Sequence, residues 1–172
     1  MQKRDTNISE MIAPMFAITM ELDVIIGMLL RDKFQISLAD FKILRAIHML
    51  NICTQLDIAR FNHVTEAAVS KRVSSLSNDG VIQKHVSLVD KRKSILSLTA
   101  KGKALMKQLQ IAVIGNTELI LTDLPDSNRK LTTELLTDIL GMVVSHSPNR
   151  SILMKSKHPV LKQLKKCKVN KK

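Results

Sequence analysis

Thr65–Gly102, TEAAVSKRVSSLSNDGVIQKHVSLVDKRKSILSLTAKG, is the stretch on which the reading of the whole chain turns. Val69, Val73 and Leu76 recur at spacings of four and three, which gives a helix one narrow apolar seam, and Thr65 is a good N-cap for it. The opposite face stays small and polar. Ala67, Ala68 and Ser70 are short enough to let a backbone approach a groove floor, while Lys71 and Arg72 are long cations that reach base edges or phosphates. Asn78-Asp79-Gly80 then stops the helix, because glycine takes the left-handed conformation that a helix C-terminus uses. Val81-Ile82 and Ser94–Leu98 follow as β-type runs on either side of a polar connection holding Asp90, Lys91, Arg92 and Lys93. A helix and then a hairpin with a cationic tip is the order of parts of a DNA reader.

Upstream, the chain supplies what such a reader rests on. Ser37 with Asp40 reads as an N-cap with an acid in the first turn, opening a helix with Phe41, Leu44, Ile47 and Leu50 on one face. Thr54 with Asp57 repeats the device for a short helix carrying Leu56, Ile58 and Ala59, and Asn62-His63-Val64 is the turn into Thr65. Two short helices joined this tightly form a helix-turn-helix, whose first member braces the second across the DNA backbone.

At these residues the chain resembles the MarR family of winged-helix transcriptional regulators. AAVSKRVSSL looks like the family's recognition helix, and GVIQKHVSLVDKRKSILSLTAKG looks like its wing, with the D-x-R at Asp90 and Arg92 and the L-T-x-K-G at Leu98 to Gly102. The resemblance covers roughly residues 8–146. It implies DNA contacts from Thr65, Ala67, Ala68, Ser70, Lys71, Arg72, Lys91, Arg92 and Lys93, with Arg92 in a minor groove and Asp90 holding the wing in position. It further implies a homodimer whose base is built from the first and the last two helices, and a small-molecule effector bound between base and reader. The family usually has Arg where Lys71 stands, and often a basic residue where Ser75 stands. Lysine lacks the bidentate fork of arginine, so guanine reading there is expected to be weaker.

The flanks fit one mainly α domain with a small β wing. Residues 1–7 are polar and expected to fray; 8–35 and 104–146 are expected as dimerisation helices around a winged helix-turn-helix at 36–103; and 147–172 read as a flexible basic tail. The first helix, from about Ile8 to Leu30, is apolar around much of its circumference through Met11, Ile12, Met15, Phe16, Leu22, Ile25, Ile26, Leu29 and Leu30. Such a helix is expected to be buried on several sides, a second copy of the chain supplying cover. Pro14 fits a first helical turn, so the regular part is expected to start there. Thr99 is expected to cap a helix to about Leu121 with Leu105, Leu109, Ala112, Val113 and Leu119 inward. Asp123–Ser127 breaks it, and a last helix from about Asn128 to Ser145 carries Leu131, Leu135, Leu136, Ile139 and Val143 at helical spacing.

Charge and composition narrow the function. The 172 residues suffice for one domain with a sizeable core, and with an aromatic fraction of 2% that core must be aliphatic, as suits a helical protein. The net charge of +12 is unevenly placed: residues 65–103 carry +5 and the final 24 carry +9, as a polyanionic partner requires. Glu21 and Asp23 inside the apolar N-terminal stretch argue against a membrane span. Two cysteines, Cys53 and Cys167, are too few for a disulfide framework, which fits a reducing, cytoplasmic setting. Cys53 reads as a small buried hydrophobe in a segment pairing with the wing. Cys167, among lysines, has its thiolate favoured and still reads best as a passive tail thiol.

No catalytic, cofactor-binding or metal-ligating constellation is visible. His48, His63, His85, His146 and His158 are scattered, and there is neither a phosphate-binding glycine loop nor a nucleophile elbow. The expected function is therefore that of a homodimeric, sequence-specific regulator, more often a repressor, on a pseudo-palindromic DNA site. The alternative is an architectural protein that coats nucleic acid through wing and lysine-rich tail with little sequence choice.

Overall fold

The computed structural model describes residues 8–86 and 94–157. They divide into two compact units, one ending at Phe41 and the other beginning at Lys42. The architecture is mainly α with one two-stranded antiparallel sheet among the described residues, the fold class expected.

In the first unit, α1(Ile8–Phe34) is longer than its sequence pattern promised and runs straight through Pro14. The expected start at Pro14 is thus corrected. A proline near a helix N-terminus forgoes one backbone hydrogen bond, and the long apolar run on its C-terminal side carries the helix across that gap. Arg31 and Lys33 extend it past Leu30, since cations suit the negative end of the helix dipole. It stops at Gln35, left-handed at φ 55°, with the Gln35 and Ile36 amides donating back to the Arg31 and Leu30 carbonyls at 3.1 and 3.3 Å. The expected burial on several sides is also corrected. Phe16, Ile18, Met20, Val24 and Met28 are exposed in the single chain, and Leu30 is the buried side chain of the helix among those described. Ser37 caps α2(Leu38–Leu50), accepting from the Asp40 amide at 3.1 Å.

In the second unit, the short helix α3(Gln55–Asn62) opens with a full capping box. The Asp57 amide donates to Thr54 Oγ1 at 3.1 Å and the Thr54 amide donates to Asp57 Oδ2 at 2.9 Å. His63 takes the left-handed conformation at φ 56° and turns the chain into Thr65, which caps α4(Glu66–Asn78) through the Ala68 amide at 3.3 Å. β1(Ile82–Val86) and β2(Ser94–Leu98) pair antiparallel in the register Ile82↔Leu98 to Val86↔Ser94. Cys53 adds a bridge on the far side of β2, its carbonyl accepting from the Leu96 amide at 2.8 Å. The expected pairing of this segment with the wing is therefore present. The Cys53 side chain is buried, and that burial, with the Asp57 carboxylate adding to it, pushes the thiol up to about 12.

The apolar interior of this unit lies where α3 packs on α4, α4 on β1, and β2 on α3 and α5(Ala100–Ile120). Ile58, Val69, Val73, Ile82, Leu96, Met106 and Leu109 are its most buried members. Leu119, expected inward, is 76% exposed, because beyond Val113 no element of the single chain covers that face of α5. α6(Asp126–His146) starts two residues earlier than expected; Arg129 holds its first turn by pairing with Asp126 at 3.2 Å and donating to the Thr122 and Leu124 carbonyls. Leu131, Leu135, Leu136 and Val143 are exposed, and Val144 is the buried one. Within the stretch read as a tail, residues Arg150–Lys155 form a short helix, α7, with Ile152 buried.

Candidate nucleic-acid interface

The site is built on α4, and what matters is how firmly its inner face is held. Val69, Val73 and Leu76 are 1%, 0% and 7% exposed, so the seam predicted from their spacing is anchored in the interior. Burying three such side chains contributes several kcal/mol in total, at roughly 1.5–3 kcal/mol each. The outer face is left to solvent: Thr65, Ala67, Ala68 and Lys71 are exposed, and Ser70 and Arg72 are half-buried. Six of the sequence-predicted residues thus lie on one helix, and its narrow outer side chains leave room for a close approach.

The C-terminal end of α4 is fixed by a second set of bonds. The Val81 amide reaches back to the Leu76 carbonyl and the Gly80 amide to that of Ser77, both at 3.0 Å, with Gly80 left-handed at φ 70°. This is the Schellman pattern, with Val81 and Leu76 as its apolar pair. The L-T-x-K-G residues then clamp that end onto α5. Thr99 Oγ1 donates to the Gly80 carbonyl at 2.7 Å, and its amide to the Val81 carbonyl at 3.1 Å. Lys101 Nζ donates to the Asp79 carbonyl at 2.8 Å. Gly102 lies so near that a Cβ there would stand 2.1 Å from the Val81 oxygen. The sequence showed this motif without its purpose. Its partners are backbone atoms of residues 79–81, which no side-chain pattern reveals.

Asp90, Lys91, Arg92 and Lys93, predicted for the wing tip, lie outside the described residues, as does Cys167; Val86↔Ser94 is the last described pair before the tip. Sequence reasoning missed His63, whose ring stands in the helix-turn-helix turn with Nδ1 3.1 Å from Asn149 Nδ2. Among the described residues no three His, Cys, Asp or Glu gather to hold a metal. A cleft of about 740 Å³ opens between α2, the two strands and α5, with Ile47, His48, Gln83, His85, Ile95 and Lys103 on its walls.

A capped two-helix unit followed by an antiparallel hairpin, with the second helix turned outward, makes this a winged helix-turn-helix protein. No family model matches the chain. Over 83 residues it is 24% identical to the HTH-type transcriptional repressor YetL of Bacillus subtilis, a match taking in 48% of this chain and about half, 50%, of that protein. Solved structures reach further. The transcriptional regulator BldR of Sulfolobus solfataricus superposes with a TM-score of 0.67 at 22% identity, over 83% of this chain and 99% of its own. Wild-type MarR of E. coli gives 0.69 at 20%, over 74% and 94%. Bordetella bronchiseptica BpsR, whose DNA binding is regulated by 6-hydroxynicotinic acid, gives 0.59 at 17%, over 81% and 96%. The fold is that of the MarR-type regulators.

Proposed function

We propose that the chain is a MarR-family transcriptional regulator that binds a pseudo-palindromic DNA site as a homodimer, acting as a repressor in the cytoplasm. The observation that carries this is the construction of α4: inner face buried, both ends bonded, outer face small and cationic. Its N-terminal turns, with Thr65, Ala67, Ala68, Ser70, Lys71 and Arg72, enter a major groove, and Arg92 with Lys91 and Lys93 takes the neighbouring minor groove. Asp90 holds the wing for that contact.

Dimerisation is supported by apolar side chains left exposed on α1, α5 and α6, including Phe16, Met20, Leu119, Leu135 and Met142. Surfaces of that kind belong to interfaces. By length and composition Glu10–Phe34 would also cross a membrane. Glu21 and Asp23 in mid-helix favour protein cover over lipid. The cleft beside His48, His85 and Lys103 is the candidate effector site, its cationic wall and apolar floor suiting a small organic anion. An effector that prefers one spacing of the two reading helices shifts DNA affinity by its differential affinity for the two states.

Selection of bound fragments from a random duplex pool tests the proposal. Enrichment of an inverted repeat with half-sites about one helical turn apart is the expected result. Fragments without inverted symmetry, lost uniformly as salt rises, would replace it with a coating protein.

A further inference from the structure

The chain after α6 doubles back onto the reader. α7 packs against both α3 and α6, with Ile152 5% exposed and Ser156 1% exposed. Two polar contacts pin its ends: Asn149 Nδ2 lies 3.1 Å from His63 Nδ1, and the Lys157 amide donates to the Met49 carbonyl, at the end of α2, at 2.9 Å. His63 precedes Thr65 by two residues, so the strap begins beside the end of α4 that leads into the groove. Arg150, Lys155 and Lys157 are exposed along it, and residues 149–157 contain no acid.

We propose that this docked strap is an additional DNA-contacting edge, in which Arg150, Lys155 and Lys157 bind backbone phosphates flanking the groove that α4 reads. The inference rests on the DNA-binding reading above. In a helix-turn-helix the first helix lies across the sugar-phosphate backbone, and the strap is packed on that helix, α3. Cations on a docked segment give up less freedom on binding than cations on a loose end, so each contact retains more of its electrostatic gain. Contacts of this type position the protein without choosing bases.

The test is the full chain carrying Arg150→Gln, Lys155→Gln and Lys157→Gln together, titrated against the selected duplex and a random duplex over a range of KCl. Each phosphate contact contributes about 0.9 to the slope of log affinity against log salt, so the slope should fall by about 1 to 3. Affinity should drop by similar factors on both duplexes, with the melting temperature kept. Asn149→Ala, which keeps every charge and removes the His63 anchor, should lower the slope by less. A slope equal to wild type, while Lys71→Ala lowers it, overturns the strap and leaves the reader intact. A wild-type chain that binds neither duplex overturns both.

Discussion

Replacing Gly102 by alanine puts the coupling between α4 and α5 under direct strain. The added Cβ would sit 2.1 Å from the Val81 carbonyl oxygen and 3.1 Å from its carbon, so the backbone must yield by roughly 1 Å to reach ordinary contact. That carbonyl accepts from the Thr99 amide at 3.1 Å and the Thr99 hydroxyl at 3.2 Å. Losing these bonds costs about 1 kcal/mol each, and overpacking adds roughly 1–3 kcal/mol. Against this, alanine in a helix is favoured over glycine by about 1 kcal/mol. The clash should win, with a net destabilisation of about 2–3 kcal/mol read from urea denaturation. DNA affinity should fall as well, because the end of α4 moves. Gly115→Ala, in the same helix with nothing within 4 Å of its added Cβ, is the matched control and should gain about 0.5–1 kcal/mol. Equal gains in both variants would refute the claim that the L-T-x-K-G residues fix the reading helix.

Lys71→Ala should weaken binding to the selected site by about 1–3 kcal/mol if the ammonium reads a base, with little change in melting temperature; an equal loss on random duplex would assign it to phosphate instead. Thr65→Ala removes the acceptor of the Ala68 amide and should cost about 1 kcal/mol of stability in denaturant titration. Cys53 makes stability fall at high pH. Its thiol, raised from 9.0 to about 12 in the folded chain, contributes fully below pH 9 and loses that contribution as pH climbs toward 12. Cys53→Ala should flatten the denaturation midpoint over that range, and an unaltered pH profile would contradict the assignment. Leu135→Lys with Leu136→Lys should shift sedimentation toward a single chain, and an unchanged species would remove α6 from the dimer base.

The parts of the fold that were legible beforehand are those decided locally. Thr54, Thr65 and Thr99 cap their helices through atoms three residues away, and the Val69–Val73–Leu76 spacing needed only helix geometry to be interpreted. Misjudged positions depend on distant or absent partners. Pro14 was weighed against one local bond when the long apolar run behind it decided the outcome. Leu119 has an inward pattern and nothing in the chain to face. α7 was unreadable because its anchors, Met49 and His63, lie some hundred and some eighty-six residues from their partners Lys157 and Asn149. Met106 is fully buried through the packing of α5, and a methionine among lysines gave no sign of it.

The separation of α4 into a clamped side and an open side bears on how such a protein changes over generations. Positions 67, 68, 70, 71 and 74 can be exchanged without disturbing Val69, Val73, Leu76 or the clamp at Thr99, Lys101 and Gly102. A duplicated copy can therefore acquire a new target through a handful of surface changes while its scaffold stays as it was. Drift in preference and loss of stability become nearly independent outcomes of mutation in the same thirteen-residue helix.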